Sequence, residues 1–323
     1  MSNMYPLRFQ PIFRRYLWGG RRLASVLDRP IGEGDDYAES WAVVDHGADQ
    51  SVVAAGPLSG TTLHELVQNE GGQMLGRHHP QTQFPLLFKF LDAQRNLSLQ
   101  VHPDDKLAEQ LDPPDLGKTE AWVILGCEPG SKIYAGLKRG FDRPALHREI
   151  ARDTVELCLH VFEPQLGDCI LLPAGAVHAI GAGLLVAEIQ QASDTTYRVY
   201  DWNRVGPDGK MRELHVDAAL DAIDFDLGPI DAQVPQPGDA SHIERLVTGD
   251  KFILDRWQFD STQAAGADDR CHIVTVLDGT VAVAGDVVDT SLRKGETVLL
   301  PAAIGSVEIA PQGRATLLDM YLP

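Results

Sequence analysis

Two segments of this chain repeat one pattern. Residues 167–178 read GDCILLPAGAVH, and residues 295–306 read GETVLLPAAIGS. Both run from a glycine and an acidic residue through an aliphatic stretch to a Leu-Leu-Pro-Ala string. Such internal similarity indicates two copies of one structural unit, here a β unit. The chain is thereby constrained to form two related β domains.

The two copies differ at two positions that bear on chemistry. Gly175 of the first copy is replaced by Ala303 in the second, and His178 is replaced by Ser306. We therefore expect the first copy to carry chemistry and the second to contribute stability or assembly. A lone histidine in an apolar stretch is more often a core residue than a ligand, so the interpretation of His178 depends on its partners.

Short strand-like runs bounded by Gly, Pro, Asp or Asn dominate the chain, which is typical of β-sandwiches and barrels. Helix signals are few. A capping-box pattern at Thr62 and Glu65 starts a helix that Gly71–Gly72 is expected to end. Two further helices are predicted around 142–157 and 215–223. None suits the crossover of a parallel sheet, so the pattern predicts a mainly β protein with a few helical decorations.

The length of 323 residues suits about two domains. The stretch 226–244 is rich in Pro, Gly and Asp and has no strand pattern, which is typical of a linker. We predict a catalytic, metal-binding domain with helical insertions over 1–225 and a linker over 226–241. A C-terminal domain without metal ligands is predicted over 242–323.

Charge and cysteine content restrict the partners. The formal net charge of −18 disfavours nucleic acid and anionic membranes. No apolar run approaches the roughly 20 residues of a membrane span, and the N-terminus has no secretory pattern. The four cysteines show no CxxC spacing, which favours reduced thiols in a cytoplasmic protein. A monomer or a homodimer is expected.

The spacing Gly-x5-Pro-x-Gly-x2-His within residues 167–178 resembles the second motif of the cupin superfamily. The glycines and the proline turn the chain so that His178 points into the mouth of a barrel. Upstream, Gln100 and His102 are two residues apart on a predicted strand and share a face, and Glu120 begins another strand. Two imidazoles, a carboxylate and an amide oxygen suit a divalent metal. Zinc is favoured, with Fe, Mn, Co and Ni as alternatives.

Four strings in this order resemble the type I phosphomannose (mannose-6-phosphate) isomerases, in particular their short bacterial form. They are LSLQVHPDD, KTEAW, PAGAVHAIG and EIQQASDTTYRVYDWNR. The resemblance implies two cupin-type (jelly-roll) β-barrel domains and a zinc enzyme that interconverts mannose 6-phosphate and fructose 6-phosphate. It also implies that one Zn²⁺ per chain is held by Gln100, His102, Glu120 and His178. The asparagine that follows the histidine in the cupin motif is absent here, where Ala182 lies four residues after His178. The chain is also too short to contain the helical domain found in larger members of the family.

Four more residues are predicted to act on a sugar phosphate. Glu188, in an apolar strand, is a candidate for the catalytic base. Alternatively, it is a structural carboxylate paired with Arg198 or Lys118. A metal-bound water or a histidine could then be the base instead. Arg198 could clamp a phosphate or an enediolate, and its alternative is a surface ion pair with Asp201 or Asp194. Lys118 and Ser98 share strand faces with Glu120 and Gln100, and we expect both to contact substrate.

Two other classes of function remain open. A different metal-dependent cupin enzyme, such as a dioxygenase or an isomerase of another sugar, would use the same ligand types. A non-catalytic sugar-phosphate-binding protein would have lost at least one ligand or catalytic position. The cationic side chains of Lys118 and Arg198 argue against the dioxygenase, and the complete ligand set of the first copy argues against the non-catalytic protein.

Overall fold

A computed structural model of the chain describes residues 4–206 and 209–323. Strands dominate it and form two pairs of antiparallel sheets, as the sequence pattern predicts. The strands of the first pair and of one small hairpin are β1 (Ile12–Gly20), β2 (Tyr37–Val43), β3 (Asp45–His46), β4 (Asp49–Gln50), β5 (Leu86–Ala93), β6 (Leu99–Val101), β7 (Glu120–Cys127), β8 (Ile133–Leu137), β9 (Leu159–Phe162), β10 (Cys169–Leu172), β11 (His178–Ile180), β12 (Leu184–Gln191) and β13 (Tyr197–Tyr200).

The second pair of sheets begins at Gln236. Its strands are β14 (Gln236–Pro237), β15 (Ile243–Thr248), β16 (Ile253–Phe259), β17 (Gln263–Gly266), β18 (His272–Asp278), β19 (Thr280–Val283), β20 (Leu292–Arg293), β21 (Thr297–Leu300), β22 (Ser306–Pro311) and β23 (Ala315–Tyr321). The helices are α1 (Arg22–Ser25), α2 (Leu63–Leu75), α3 (Asp105–Ala108), α4 (Arg143–Ala151) and α5 (Val216–Ala222), with 3₁₀ turns at Gly76–His78, Val155–Cys158 and Ala302–Ile304.

In the first barrel a six-stranded sheet, ordered β1-β2-β5-β12-β7-β10, faces a five-stranded sheet, ordered β13-β6-β11-β8-β9. The larger sheet is buried on both faces. On β5, Phe88 and Phe90 point outward, while Leu91 and Ala93 point into the barrel. This explains why β5 and β12 are largely apolar on both faces, with the Lys89–Glu188 pair as a polar exception on the inner face.

The second barrel pairs a six-stranded sheet, β14-β15-β16-β23-β18-β21, with a four-stranded sheet, β17-β22-β19-β20. Its larger sheet packs its outer face against the outer face of the first barrel. Phe252, Leu299 and Met320 belong to the same apolar cluster as Phe88 and Phe90. The two barrels therefore share one core in addition to their separate interiors.

The sequence repeat corresponds to a structural repeat. β10 lies at the edge of its sheet beside β7, and β21 lies at the edge beside β18. Leu172 pairs with Glu120 in the first barrel, and Leu300 pairs with His272 in the second. His272 therefore holds the register position that Glu120 holds in the first copy.

The helix predictions are largely confirmed. Thr62 and Glu65 form the capping box that starts α2, and α5 closely matches the segment expected at 215–223. The predicted end of α2 at Gly71–Gly72 is wrong, because the helix kinks at Glu70 and continues to Leu75, where burial stabilises the last turn. No helix among the described residues is long and apolar enough to cross a membrane.

Candidate metal centre

The smaller sheet of the first barrel aligns three predicted site residues across neighbouring strands. Gln100 on β6 lies opposite His178 on β11 and opposite Arg198 on β13. Directly paired residues of antiparallel strands have side chains on the same face. The sheet register therefore brings together residues that are far apart in sequence.

His102, Glu120 and His178 converge at the barrel mouth. Their potential ligand atoms all lie within 4.8 Å of one another, the one such group of three among residues 4–206 and 209–323. His178 Nε2 lies 3.2 Å from Glu120 Oε1, and His102 Nε2 lies 3.5 Å from Glu120 Oε2. All three side chains are almost fully buried.

Backbone carbonyls fix the tautomer of both histidines. His102 Nδ1 lies 2.8 Å from the Thr195 carbonyl, and His178 Nδ1 lies 2.9 Å from the Ala176 carbonyl. Because a carbonyl only accepts, each Nδ1 must donate, which leaves the Nε2 lone pairs directed at Glu120. Burial lowers the pKa of both imidazoles, so both are neutral and able to act as ligands.

Gln100 completes the cluster. Its Nε2 lies 3.4 Å from Nε2 of both histidines, and its Oε1 accepts from Ser98 Oγ at 3.4 Å. A half-turn of the amide exchanges these two atoms and presents Oε1 to a cation while Nε2 faces Ser98. The side chain can therefore supply the amide oxygen that the sequence analysis assigned to it.

The carboxylate of Glu120 provides a test of whether the cluster suits a metal ion. Both oxygens are buried; Oε1 has no hydrogen-bond donor among the described residues, and Oε2 pairs with the ammonium of Lys118. Burial would raise the pKa of this carboxyl, but the ammonium groups of Lys118 and Lys89 hold it well below its usual range. The Lys118 Nζ lies 3.0 Å from Glu120 Oε2 and 3.2 Å from His102 Nε2. A buried carboxylate that faces two imidazole lone pairs and has the ammonium of Lys118 beside it fits a divalent cation.

Glu188 lies on the facing sheet, in register with Trp122 and Lys89. Its Oε2 accepts from Trp122 Nε1 at 3.0 Å, and its Oε1 lies 3.1 Å from Lys89 Nζ. Its ion-pair partner is thus Lys89, rather than Arg198 or Lys118 as the structural alternative supposed. Burial and the nearby charge of Glu120 raise the pKa of Glu188 to about 7. Its neighbours raise the pKa of Lys89 although burial opposes them, so Lys89 is charged.

A cavity of about 310 Å³ opens over the cluster. Its lining includes six predicted residues: Ser98, Gln100, Lys118, His178, Glu188 and Arg198. A larger cavity of about 1090 Å³ lies between the barrels and contains none of the predicted site residues. The smaller cavity is the relevant one because it adjoins the predicted metal ligands.

Arg198 is half-buried at the cavity wall. Its Nη1 donates to the Glu213 carbonyl at 2.8 Å, and its Nε is buried without a hydrogen-bond partner among the described residues. Burial and the nearby Arg212 lower its pKa from the usual value, although it stays fully charged at neutral pH. Asp201, one proposed surface partner of Arg198, is instead bound by Arg204 and Arg212. The guanidinium of Arg198 is therefore available to an anion in the cavity.

Among the charged residues of the cavity wall, sequence reasoning missed Glu39, Lys89, Asp194 and Arg212. A lysine in the middle of the apolar string PLLFKFLDA could have indicated Lys89, because a fully buried lysine needs a specific partner. Arg212 lies in a polar loop whose sequence carries no comparable signal.

The sequence model described as the phosphomannose isomerase type I catalytic domain matches residues 6–119. The model described as the mannose-6-phosphate isomerase cupin domain matches residues 242–320. The mannose-6-phosphate isomerase ManA of Bacillus subtilis is 33% identical over 98% of this chain and 99% of its own. The mannose-6-phosphate isomerase of Streptococcus mutans is 33% identical over 93% of this chain and 94% of its own.

Solved structures agree with these sequence matches. The crystal structure of the mannose 6-phosphate isomerase from Bacillus subtilis superposes with a TM-score of 0.89 at 30% identity, covering 99% of this chain and 100% of that one. A mutant of phosphomannose isomerase from Salmonella typhimurium gives a TM-score of 0.78 at 15% identity, covering 99% and 100% of the two chains. The second likeness concerns the fold alone.

Proposed function

Because this chain belongs to the type I phosphomannose isomerases, we propose that it interconverts mannose 6-phosphate and fructose 6-phosphate with the help of one bound zinc ion. In this proposal the ligands are Gln100, His102, Glu120 and His178. The isomerase activity rests on relatives that match nearly the whole chain. The zinc, its ligands and the reaction path are our proposal.

One observation carries the proposed metal site. Two neutral imidazoles direct their Nε2 atoms at a buried carboxylate, one oxygen of which has no hydrogen-bond donor among the described residues. A purely structural cluster would satisfy that carboxylate with N–H or O–H donors. The donor set of nitrogen and oxygen, without thiolate, is typical of a catalytic zinc site that keeps a position open.

The reaction moves one proton between C1 and C2 of the sugar and a second between their oxygens, through a cis-enediol. A bound zinc ion would supply Lewis acidity to the two sugar oxygens. The protein must supply a base on one face of the sugar and hold the substrate so that C1 and C2 meet that base.

We assign to Glu188 the transfer of the proton between C1 and C2. A pKa of about 7 makes its carboxylate basic enough to accept a proton and ready to return it at neutral pH. Trp122 and Lys89 hold its two oxygens from either side, so the carboxylate is oriented before substrate arrives. Lys118, close to Glu120, is the group we expect to move the proton between the sugar oxygens.

The phosphate is assigned to the basic side of the cavity. Arg198 and Arg212 both line it, and Asp201 holds Arg212 by two hydrogen bonds of 2.6 and 2.8 Å. Guanidinium groups suit phosphate because their N–H groups match its oxygens in pairs. Ser98 lies deeper, beside Gln100, and would donate to a sugar hydroxyl or to the phosphate.

The same geometry argues against the alternative functions, a dioxygenase and a non-catalytic binding protein. A dioxygenase acting on an apolar substrate has no use for Lys89, Lys118, Arg198 and Arg212 around one small cavity. A non-catalytic binding protein does not need a carboxylate whose pKa is raised to about 7 inside that cavity. An isomerase of another C6 sugar would differ only in contacts at the cavity rim.

We place the enzyme in the cytoplasm. All four cysteines are unpaired, which suits a reducing compartment. Sugar phosphate is the expected partner, whereas nucleic acid and membrane are not. A monomer or homodimer stays a prediction.

The decisive experiment measures fructose 6-phosphate formed from mannose 6-phosphate, together with metal content, on the same sample. The protein is assayed as purified, after chelation and after return of zinc. We expect activity to follow about one zinc per chain. His178→Ala should lose both metal and activity, whereas His147→Ala, an exposed histidine on α4, should lose neither. Metal binding without turnover in the wild type would overturn the assigned reaction, and absence of metal would overturn the site.

A further inference from the structure

Asp115 lies outside the substrate cavity but ends a hydrogen-bond chain that leads to a proposed metal ligand. It belongs to the segment 103–119, which connects His102 to Glu120. Its Oδ2 accepts from the hydroxyl of Thr195 at 2.6 Å, and the carbonyl of the same Thr195 accepts from His102 Nδ1 at 2.8 Å. One threonine thus links the carboxylate to the imidazole.

The two oxygens of Asp115 have separate partners. Oδ2 accepts from Thr195 Oγ1 and also from Ser193 Oγ, at 2.8 Å. Oδ1 accepts from the backbone N–H of Leu116 at 2.8 Å and lies 3.2 Å from His46 Nε2. These contacts fix the carboxylate on both sides, so it can act as a rigid anchor for the threonine.

The backbone at Thr195 needs such an anchor. It lies between the end of β12 at Gln191 and the start of β13 at Tyr197, where no ladder of strand hydrogen bonds holds the chain. Its own N–H is directed at Ser193 Oγ at 3.3 Å, which is itself bound to Asp115. The direction of the Thr195 carbonyl therefore depends on side-chain hydrogen bonds that meet at Asp115.

We propose that Asp115 is a positioning residue for the metal site, which acts through Thr195 to orient His102. By holding the Thr195 hydroxyl, it places the carbonyl that fixes the tautomer and ring direction of His102. The proposal rests on the proposed function only in so far as the cluster binds a metal ion. Outer partners of metal-bound histidines typically change metal affinity about 10–100-fold when they are removed.

The test is the rate at which zinc leaves the folded protein for an excess of a coloured chelator. Asp115→Asn should release zinc about 10–100-fold faster than the wild type. The amide cannot accept from all the donors that meet this side chain. In the cobalt-substituted protein the visible absorption band should also shift, because the His102 ring changes direction relative to the ion.

Asp45→Asn is the matched control. Asp45 is a buried carboxylate of the same domain, accepting from the Phe84 N–H at 2.8 Å and from Gln50, with His64 at 3.0 Å. No contact of Asp45 leads to a metal ligand among the described residues. Its loss should lower thermal stability as much as the loss of Asp115, without changing zinc release or the cobalt spectrum.

Thr195→Val separates positioning from general stability. Valine keeps the carbonyl that contacts His102 but lacks the hydroxyl that Asp115 holds, so it should also release zinc faster. If Asp115 acts through this hydroxyl, the double variant should release zinc no faster than the more affected single variant. Thr195→Val serves alone if Asp115→Asn fails to fold.

Zinc release at the wild-type rate in folded Asp115→Asn or Thr195→Val would overturn the proposal, as would an equal effect of Asp45→Asn. Multiplying effects in the double variant would overturn it as well. None of these outcomes concerns turnover. A wild type that retains zinc but does not isomerise sugar phosphate would refute the proposed function and leave this inference intact.

Discussion

Glu188 and Lys89 face each other across β12 and β5 inside the first barrel, and each depends on the other for its charge state. Lys89 is fully buried and is held charged by Glu188, 3.1 Å away, and by Glu39, 3.8 Å away. Glu188 titrates near neutrality because burial and Glu120 raise its pKa more than Lys89 lowers it. Because these opposing effects leave the pKa of Glu188 near 7, the carboxylate can act as a base while Lys89 beside it stays charged.

Glu188→Gln should lower kcat by about 10²–10⁴-fold while leaving zinc content unchanged, because the amide has the shape of the carboxylate but cannot accept the proton. In the wild type, kcat/KM should fall as the pH drops through about 7, where Glu188 becomes protonated. A zinc ion bound at Glu120 would lower the pKa of Glu188, so in the zinc-loaded enzyme the activity would fall at or below that pH. Steady-state kinetics between pH 5 and 9 measure both effects.

Glu39→Gln is the control for that pair. It removes a carboxylate from the other side of Lys89, in the same cavity, and should change kcat far less. Equal losses in the two variants would mean that both carboxylates act only by fixing Lys89, and the assignment of Glu188 as base would then be wrong.

Among the secondary-structure elements, the turn between β10 and β11 places His178. Gly175 in this turn has φ +88°, its N–H donates to the His102 carbonyl at 2.9 Å, and its carbonyl accepts from the Asp224 N–H at 3.0 Å. A Cβ here would lie 3.0 Å from the Asp224 Cβ and 3.3 Å from the Ala222 carbonyl oxygen. The turn that places His178, one proposed ligand, is therefore hydrogen-bonded to the backbone of His102, another proposed ligand.

Gly175→Ala should destabilise the protein by about 1–3 kcal/mol, because alanine is strained at this φ and its methyl group presses on the 222–224 segment. It should also weaken zinc binding, since the turn shifts His178 relative to His102. Gly130→Ala, at φ +82° with open space around the Cβ, should show the backbone strain without the loss of zinc. Urea unfolding and zinc titration check both variants, and equal zinc affinity in the two would contradict the role of this turn.

The sequence allows the clustering of His102, Glu120 and His178 to be predicted at the level of these elements because the relevant constraints are local. Gln100 and His102 alternate on one strand, and His178 follows a turn whose glycines and proline are visible in the sequence. Arg212 could not be predicted, because only the folded chain brings its loop to Arg198. The end of α2 was mispredicted for a related reason: Met74 and Leu75 are buried by tertiary contacts that outweigh the glycines before them.

At the scale of the molecule, the two barrels are joined by more than the proposed linker at 226–241. The N-terminal segment crosses to the second barrel, where Leu7 and Leu299 exchange two backbone hydrogen bonds of 2.8 and 2.9 Å. The apolar core that contains Leu299 also contains Phe88 and Phe90 of the first barrel. We therefore propose that the second barrel, whatever else it does, stabilises the catalytic one and that the chain unfolds as one unit.

Leu300→Ala tests whether the two barrels unfold together. Leu300 is buried in the interior of the second barrel, whereas its neighbour Leu299 faces the shared core. Removing three carbons there should destabilise the chain by about 2–5 kcal/mol. If the barrels unfold together, the urea midpoint for loss of isomerase activity should fall by the same amount as the midpoint seen by circular dichroism. Val287→Ala, at a half-exposed position on the second barrel, should leave both midpoints in place. Two separate transitions, with activity lost at the wild-type urea concentration, would show instead that the barrels fold independently and that their shared core contributes little.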